Sequence, residues 1–353
     1  MRRLIVLLVL VALVLAGIWV AAPALMARQV QLMAQASLGF RATAVTPLRE
    51  LGRIGVGMTG LELDTAPGQV EASQADLSVR LLRPTVLNLD LPTQLGLDMG
   101  SGPLPLGLSD PQASLRILPL SDFVPGAAHL SSGPMTLGGT PLAQGLALDM
   151  VLARRGHDAP TGSMAAHELD FALHGLDPAA LPRLTEAAAS LGLDGKLDLT
   201  GHARFWLDQP ATPGALAAGT PRLTGLRLED TRLTFGPLTA RIVGMVTPDA
   251  EGRAQGAAAI YTADATPLLQ AAAEAGMIPK NVVKLAETMV RTLSALPLPG
   301  ESDSQDPAPN PTQPHSIDWP AVAPGELRLP LVFDQGRISL GPLTLGPAPR
   351  LRP

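Results

Sequence analysis

Apolar and polar residues alternate with a period of two from about Arg53 to Leu207, and this alternation limits the fold more than any other feature of the chain. Leu61-Glu62-Leu63-Asp64, Leu87-Asn88-Leu89-Asp90-Leu91 and Leu95-Gly96-Leu97-Asp98-Met99 show it first. Leu115-Arg116-Ile117, Leu146-Ala147-Leu148-Asp149, Leu169-Asp170-Phe171-Ala172-Leu173 and Leu197-Asp198-Leu199-Thr200 continue it. In an extended chain successive side chains point to opposite faces, so each segment reads as a strand with one apolar and one wetted face. That is the pattern of antiparallel sheets. Arg83-Pro84, Gly102-Pro103, Asp110-Pro111 and Gly133-Pro134 separate the runs as turns. Leu stands where Val, Ile and aromatics are commoner in strands. The β expectation therefore rests on period, since helical spacings of three and four are missing here.

Helical spacing returns in two places. Asp177-Pro178 offers an N-cap and an N1 proline ahead of a short helix over Leu181 to Leu191, ending near Gly192. Thr266-Pro267 opens a second helix expected to stop at Gly276. A third begins about Pro279 and aligns Val282, Ala286, Met289, Val290 and Leu293 on one stripe. The 266–295 pair has two readings: helices packed on the sheet or capping its end, and a mobile lid over an apolar groove. Gln209 to Pro221 reads as a loop. Glu301 to Gly325, with six prolines, reads as a flexible insert.

Ahead of the strands, Leu4 to Met26 is an uncharged run of 23 residues, long enough at about 1.5 Å per residue to cross a hydrocarbon core of about 30 Å. Arg2 and Arg3 precede it, a lone Arg28 follows, and Trp19 lies near its far end. The positive-inside rule then places the N-terminus in the cytoplasm and the bulk of the chain in the periplasm, single-pass in the inner membrane. Ala22-Pro23-Ala24 keeps a second reading open, a signal peptide cleaved to release the chain into the periplasm.

A length of 353 residues allows a sizeable core, and 35 glycines with 35 prolines imply frequent turns rather than a low-complexity chain. A net charge of −5 offers no basic footprint, so no nucleic-acid partner is expected. The absence of cysteine excludes disulfides, thiolate metal sites and cysteine nucleophiles.

Motifs for chemistry fail on context. Gly55-Val56-Gly57-Met58-Thr59-Gly60 has dinucleotide spacing, but the residues after it alternate like a strand where a helix should open, so the glycines read as a strand bend. Gly192-Leu193-Asp194-Gly195-Lys196 lacks the spacing and the Ser or Thr of a P-loop, and Asp194-Gly195 reads as a hairpin turn. His129, His157, His167, His174, His202 and His315 show no metal-ligand spacing, and no nucleophile elbow is present. No cofactor, metal or catalytic residue is expected, and the chain reads as a non-enzyme. A hydrolase would have to gather His167, His174, Asp194 and His202 into one pocket.

Arg232-Leu233-Thr234-Phe235-Gly236-Pro237-Leu238-Thr239 recurs as Arg337-Ile338-Ser339-Leu340-Gly341-Pro342-Leu343-Thr344. Both copies read as strand, Gly-Pro turn, strand. Around them stand Asp249-Ala250-Glu251-Gly252-Arg253, Pro267-Leu268-Leu269, Asp334-Gln335-Gly336-Arg337 and Leu345-Gly346-Pro347-Ala348-Pro349. With the apolar N-terminus, these segments resemble the uncharacterised bacterial envelope family known as domain of unknown function 2125. The strand–turn–strand repetition is also similar to that of AsmA-like envelope proteins, a fold-level analogy that implies a grooved sheet able to hold or conduct lipid.

The expected architecture is mainly β: an elongated, mostly antiparallel, partly repetitive sheet with a few covering helices, behind one N-terminal transmembrane helix. Its regions are the anchor or signal over 1–26, β-rich regions over 27–209 and 223–353, and a linker over 210–222. The groove or lid residues are Leu268, Leu269, Val282, Ala286, Met289, Val290 and Leu293. The expected role is an envelope protein that binds or scaffolds lipid, with the inner membrane and lipid or another envelope protein as partners. The alternative is a structural or partner-binding protein acting through a sheet edge.

Overall fold

Among the described residues nineteen strands form, and each pairing between them that has a defined register is antiparallel in the computed structural model. The structure describes residues 40–274 and 319–351, apart from 51, 66, 67, 101, 191, 213, 216–218, 220 and 342, together with 27, 28 and 317. The expected anchor over 4–26 and the stripe Val282, Ala286, Met289, Val290 and Leu293 lie outside the described residues. Among the described residues no helix is long and apolar enough to cross a membrane.

The chain divides into two compact units, residues 1–145 and 146–353. The first unit holds β1 (Phe40–Glu50), β2 (Arg53–Thr65), β3 (Gly68–Arg80), β4 (Arg83–Asp90) and β5 (Gln94–Asp98). After these come β6 (Pro103–Leu108), β7 (Gln112–Leu118), β8 (Val124–Ser132), β9 (Met135–Leu137) and β10 (Thr140–Ala143). The first three strands form a meander, and β3 then forks. Its C-terminal half, Asp76–Arg80, pairs with β4, which leads to β7 and β8; its N-terminal half, Gln69–Glu71, pairs with β5, which leads to β6, β9 and β10. Ile54, Val56 and Met58 are buried on β2, opposite Val79, Leu77 and Ala75 of β3. Apolar numbering on β2 switches from even to odd at Gly60, whose φ of +59° is a conformation that side chains resist. A Cβ there would also lie 2.3 Å from Thr43 Oγ1. The dinucleotide-like glycines thus sit inside a strand, at its bend.

The second unit begins with β11 (Gly145–Ala153), β12 (Ala165–Leu176) and helix α1 (Pro182–Ser190). Next come β13 (Leu197–Leu207), β14 (Leu223–Phe235), β15 (Leu238–Pro248), β16 (Ala254–Thr262) and helix α2 (Thr266–Glu274). It closes with β17 (Leu327–Asp334), β18 (Arg337–Leu340) and β19 (Leu343–Pro347). From β12 to β19 each strand pairs with the next in sequence. The segment 210–222, expected as a linker between regions, instead joins β13 to β14, neighbours in register from Leu197↔Phe235 to Leu207↔Leu223. The division of the chain falls at Gly145.

Local signals refine the helices. Asp177 caps a 3-10 turn, Pro178–Ala180, by accepting the Ala179 amide at 3.0 Å, so α1 starts only at the next proline, Pro182. It stops at Gly192, whose φ is +62°. Asp194-Gly195, expected as a hairpin turn, connects α1 to β13. Ahead of α2, Asp264 accepts the Thr266 amide at 2.8 Å, and that bond holds its carboxyl below the usual carboxylate range.

The echo in sequence is an echo in conformation. Phe235↔Leu238 and Leu340↔Leu343 close two hairpins, and Gly236 and Gly341 take φ of +55° and +56°. Gly at the first central position is the requirement of a type II′ hairpin turn.

Side chains pack on both faces of the second unit's sheet. Ala265, Leu269 and Ala273 of α2 and its approach pack on Leu329 and Leu340, and Ala271 meets Leu193 and Leu238. On the opposite face the end of the 301–325 insert packs down: Ile317 and Trp319 lie on Val243, Ala259 and Tyr261, and the Tyr261 hydroxyl donates to the Pro320 carbonyl at 3.0 Å. Arg241 lies over the Tyr261 ring at 4.4 Å and pairs with Glu326 at 3.2 Å. Two aromatics and two charges are what fasten a proline-rich stretch that reads as loop.

Close strand approach rests on Gly244. A Cβ there would lie 2.5 Å from the Ala258 Cβ and 2.7 Å from the Ala257 carbonyl oxygen, backbone that cannot rotate away. Gly244→Ala is expected to lower stability by about 1–3 kcal/mol, read as a lower urea midpoint at unchanged m-value.

Candidate functional site

Register places one continuous apolar face across the second unit. One row reads His167, Phe205, Leu226, Val246, Gly256, Phe333 and Ile338 from β12 to β18. The next reads Leu169, Ala203, Leu228, Gly244, Ala258, Leu331 and Leu340. Continuity depends on a bulge. Leu226 and Leu228 are even and Leu233 and Phe235 odd, so a regular strand would turn the second pair away. The register of β14 shifts by one residue between Leu228 and Thr231 against β15, and between Leu228 and Arg232 against β13. An extra residue on one strand restores the phase and keeps all four on one side. Phe171, Leu173, Leu199, Phe205, Leu226, Leu228, Val246, Leu331 and Phe333 are only half-buried.

Among the sequence-predicted groove or lid residues, Leu269 is buried in the cluster on Leu329 and Leu340. Leu268 lies in α2. The other five lie outside the described residues.

The opposite face of β12–β14 is charged. His202 Nδ1 is 2.7 Å from Asp170 Oδ1, and its Nε2 is 3.8 Å from Glu229. Arg227 bridges Glu229 at 3.3 Å and Asp158 at 2.6 Å. Arg204 lies 4.0 Å from Glu168, donates to the Arg154 carbonyl and stands over Trp206. The indole of Trp206 is fully buried beneath the 154–164 segment and donates to the Arg155 carbonyl at 2.9 Å. Gly225 leaves room for this segment, since a Cβ there would lie 2.6 Å from Pro160. Asp158, Glu168 and Glu229 each face an arginine and Asp170 faces the His202 ring, so the network ties strands and loop together through its own groups.

The histidines that a hydrolase would need are kept apart. His202 is on the charged face, and His174 lies 3.5 Å from Asp198. His167 is on the apolar face, stacked on Phe205 with centroids 5.1 Å apart. Asp194 lies in the connection before β13. The described residues contain no cluster of three or more His, Cys, Asp or Glu able to hold a metal. A shallow cleft of about 650 Å³ opens between the Asp249–Arg253 and Gln335–Arg337 turns, lined by Asp249, Glu251, Arg253 and Arg337. Sequence reading missed the His202 network because its contacts between different segments, such as His202–Asp170 and Arg227–Asp158, join residues 32 and 69 apart, and strand register brings them together.

These features define a strand-meander protein whose second unit has one apolar and one ion-paired face. A family model described as an uncharacterized protein conserved in bacteria, DUF2125, matches residues 52–349, and the chain belongs to that family. The match takes in the strands from β2 onward as well as the repeated hairpins that suggested it. No curated protein and no solved structure matches the chain.

Both His167 ring nitrogens are buried without a hydrogen-bond partner, and burial lowers the pKa from its ordinary 6.5. The folded state keeps the ring neutral while the unfolded chain takes up a proton. This contribution to stability is full above about pH 6.5 and is lost as pH falls below it. His167→Phe is expected to flatten the stability slope between pH 7 and 5, by at most one proton, in urea titrations at each pH.

Proposed function

We propose that this chain is a membrane-anchored envelope protein without enzymatic activity that holds lipid acyl chains on the apolar face of its second unit. The observation that supports the reading most directly is that face itself: two registered rows of Leu, Phe, Val and Ala across seven strands, with most large side chains half-buried. Aliphatic walls with few polar groups suit an acyl chain, which makes no directional demand. The uncharged N-terminal run supports the membrane setting, and α2 covers the β16–β18 end of the face as a packed helix.

A second reading has its own observation. β1 has one registered neighbour, β2, among the described residues, and it extends for 11 residues with most side chains exposed. Such an edge accepts a strand from another envelope protein. Pro47 and Arg49 within it blunt indiscriminate pairing.

Lipid extraction and mass spectrometry of the purified chain separate the two readings. Lipid near one-to-one, absent from an equally handled control protein and lost in Val246→Glu at unchanged far-UV circular dichroism, is the expected result. A folded, lipid-free wild-type protein that retains one stoichiometric partner chain favours the strand edge and removes the lipid reading.

A further inference from the structure

We propose that one end of the first unit is a docking surface for an anionic phospholipid bilayer. The surface is independent of whether the second unit holds lipid. Three turns lie along that end. Arg53↔Arg80 and the Leu81 amide, which donates to the Gly52 carbonyl at 3.0 Å, bring the β1–β2 and β3–β4 turns together. Register then carries the edge across: Val86 pairs with Arg116, so the β3–β4 turn ahead of β4 and the β7–β8 turn after β7 lie at the same end of that antiparallel pair.

Turns of this kind normally take Gly, Asn, Asp or Ser. Here the tips are Leu81 and Leu82, 51% and 96% exposed, with Leu120 fully exposed and Phe123 53% exposed. Asp122 and Phe123 both adopt left-handed backbone, φ +54° and +60°. A bulky aromatic in that region is a conformational outlier, held while its ring stays half in solvent. Set back from the tips are Arg80, Arg83 and Arg116, all exposed and without an ion pair among the described residues. Arg53, by contrast, is neutralised by Glu50 at 2.7 Å and Asp90 at 2.6 Å. The tips also include one exposed carboxylate, Asp122.

Apolar residues on separate tips, backed by unpaired guanidinium groups, have the layering of a bilayer interface: acyl region outside, with Arg80 and Arg83 next to Leu81 and Leu82 and Arg116 four residues behind Leu120. A protein partner would be met better by a contiguous patch than by side chains on two separate loops. The three unpaired arginines favour an anionic surface over a zwitterionic one.

The chain has no cysteine, so single labels are unambiguous. Leu82→Cys, Leu120→Cys and a control, Thr140→Cys, are labelled with an environment-sensitive fluorophore in the full-length chain. Each is mixed with vesicles of phosphatidylcholine alone or with one-third phosphatidylglycerol. The apolar N-terminal run should partition into either vesicle, so the label reports only on its own tip. Blue-shifted emission at 82 and 120 with anionic vesicles, and none at 140, is the expected result. Combining Arg80→Gln, Arg83→Gln and Arg116→Gln in each labelled chain should then weaken the tip response about a hundredfold, roughly fivefold per arginine. Far-UV circular dichroism confirms that each variant is folded. Unshifted tips, an equal shift at 140, an equal response to neutral vesicles, or a shift produced only by a copurified protein would each overturn the proposal.

Discussion

The second unit depends on register between neighbouring strands, because antiparallel hydrogen bonding decides which side chains share a face. A slip of one residue would exchange the Leu and Phe rows for the Arg, Glu and His network. The bulge in β14 is the point where that exchange is prevented. Leu226 and Leu228 meet β13 and β15 in one phase, Leu233 and Phe235 meet them in the other, and both pairs stay with the apolar face. Thr231, beside the bulge, is buried, and Gly201 opposite leaves it room: a Cβ there would lie 2.8 Å from its Oγ1.

The two faces carry different kinds of stabilisation. On the apolar side, removal of surface from water is non-directional and tolerates half-buried leucines. On the other, the polar contacts of Arg227, Arg204 and His202 are directional: His202 with Asp170 and Arg204 with Glu168 link paired strands, and Arg227 ties Asp158 in the 154–164 segment to β14. Trp206 and Tyr261 anchor the two loops laid across that face, each through one hydrogen bond to a backbone carbonyl. The loops are held by aromatic rings and by side-chain–backbone bonds rather than by their own composition.

Sequence period revealed the strands, because alternation is a local property: every alternating run quoted for residues 61–200 falls in or at the end of a strand. Turn chemistry revealed the repeated hairpin, since Gly-Pro specifies its own backbone. What stayed hidden depends on distant residues. The 210–222 segment has the composition of a linker, yet its ends belong to paired strands, and pairing is not written in composition. Pro178 and Pro182 offer two helix starts four residues apart, and the Asp177 cap with a buried Pro178 goes with a 3-10 turn at the first. Ile317 and Trp319, inside a proline-rich stretch, were outweighed by their neighbours in a compositional reading. The groove residues of the 266–295 stripe were chosen by spacing alone. Of these, Leu269 is placed by its packing on Leu329 and Leu340.

β16 and β17 are adjacent in register, Gly256↔Phe333 to Thr262↔Leu327, although residues 263–326 intervene. Every other neighbouring pair from β14 to β19 is closed by a short connection. Chain entropy for closing a loop rises by about 0.6 kcal/mol with each doubling of its length, so this pairing has the highest closure barrier in that series. The C-terminal hairpin therefore joins a sheet whose preceding strands zip up locally. Of the pairings in that series, β16 with β17 is the one that asks most of chain entropy and takes least from local turn chemistry.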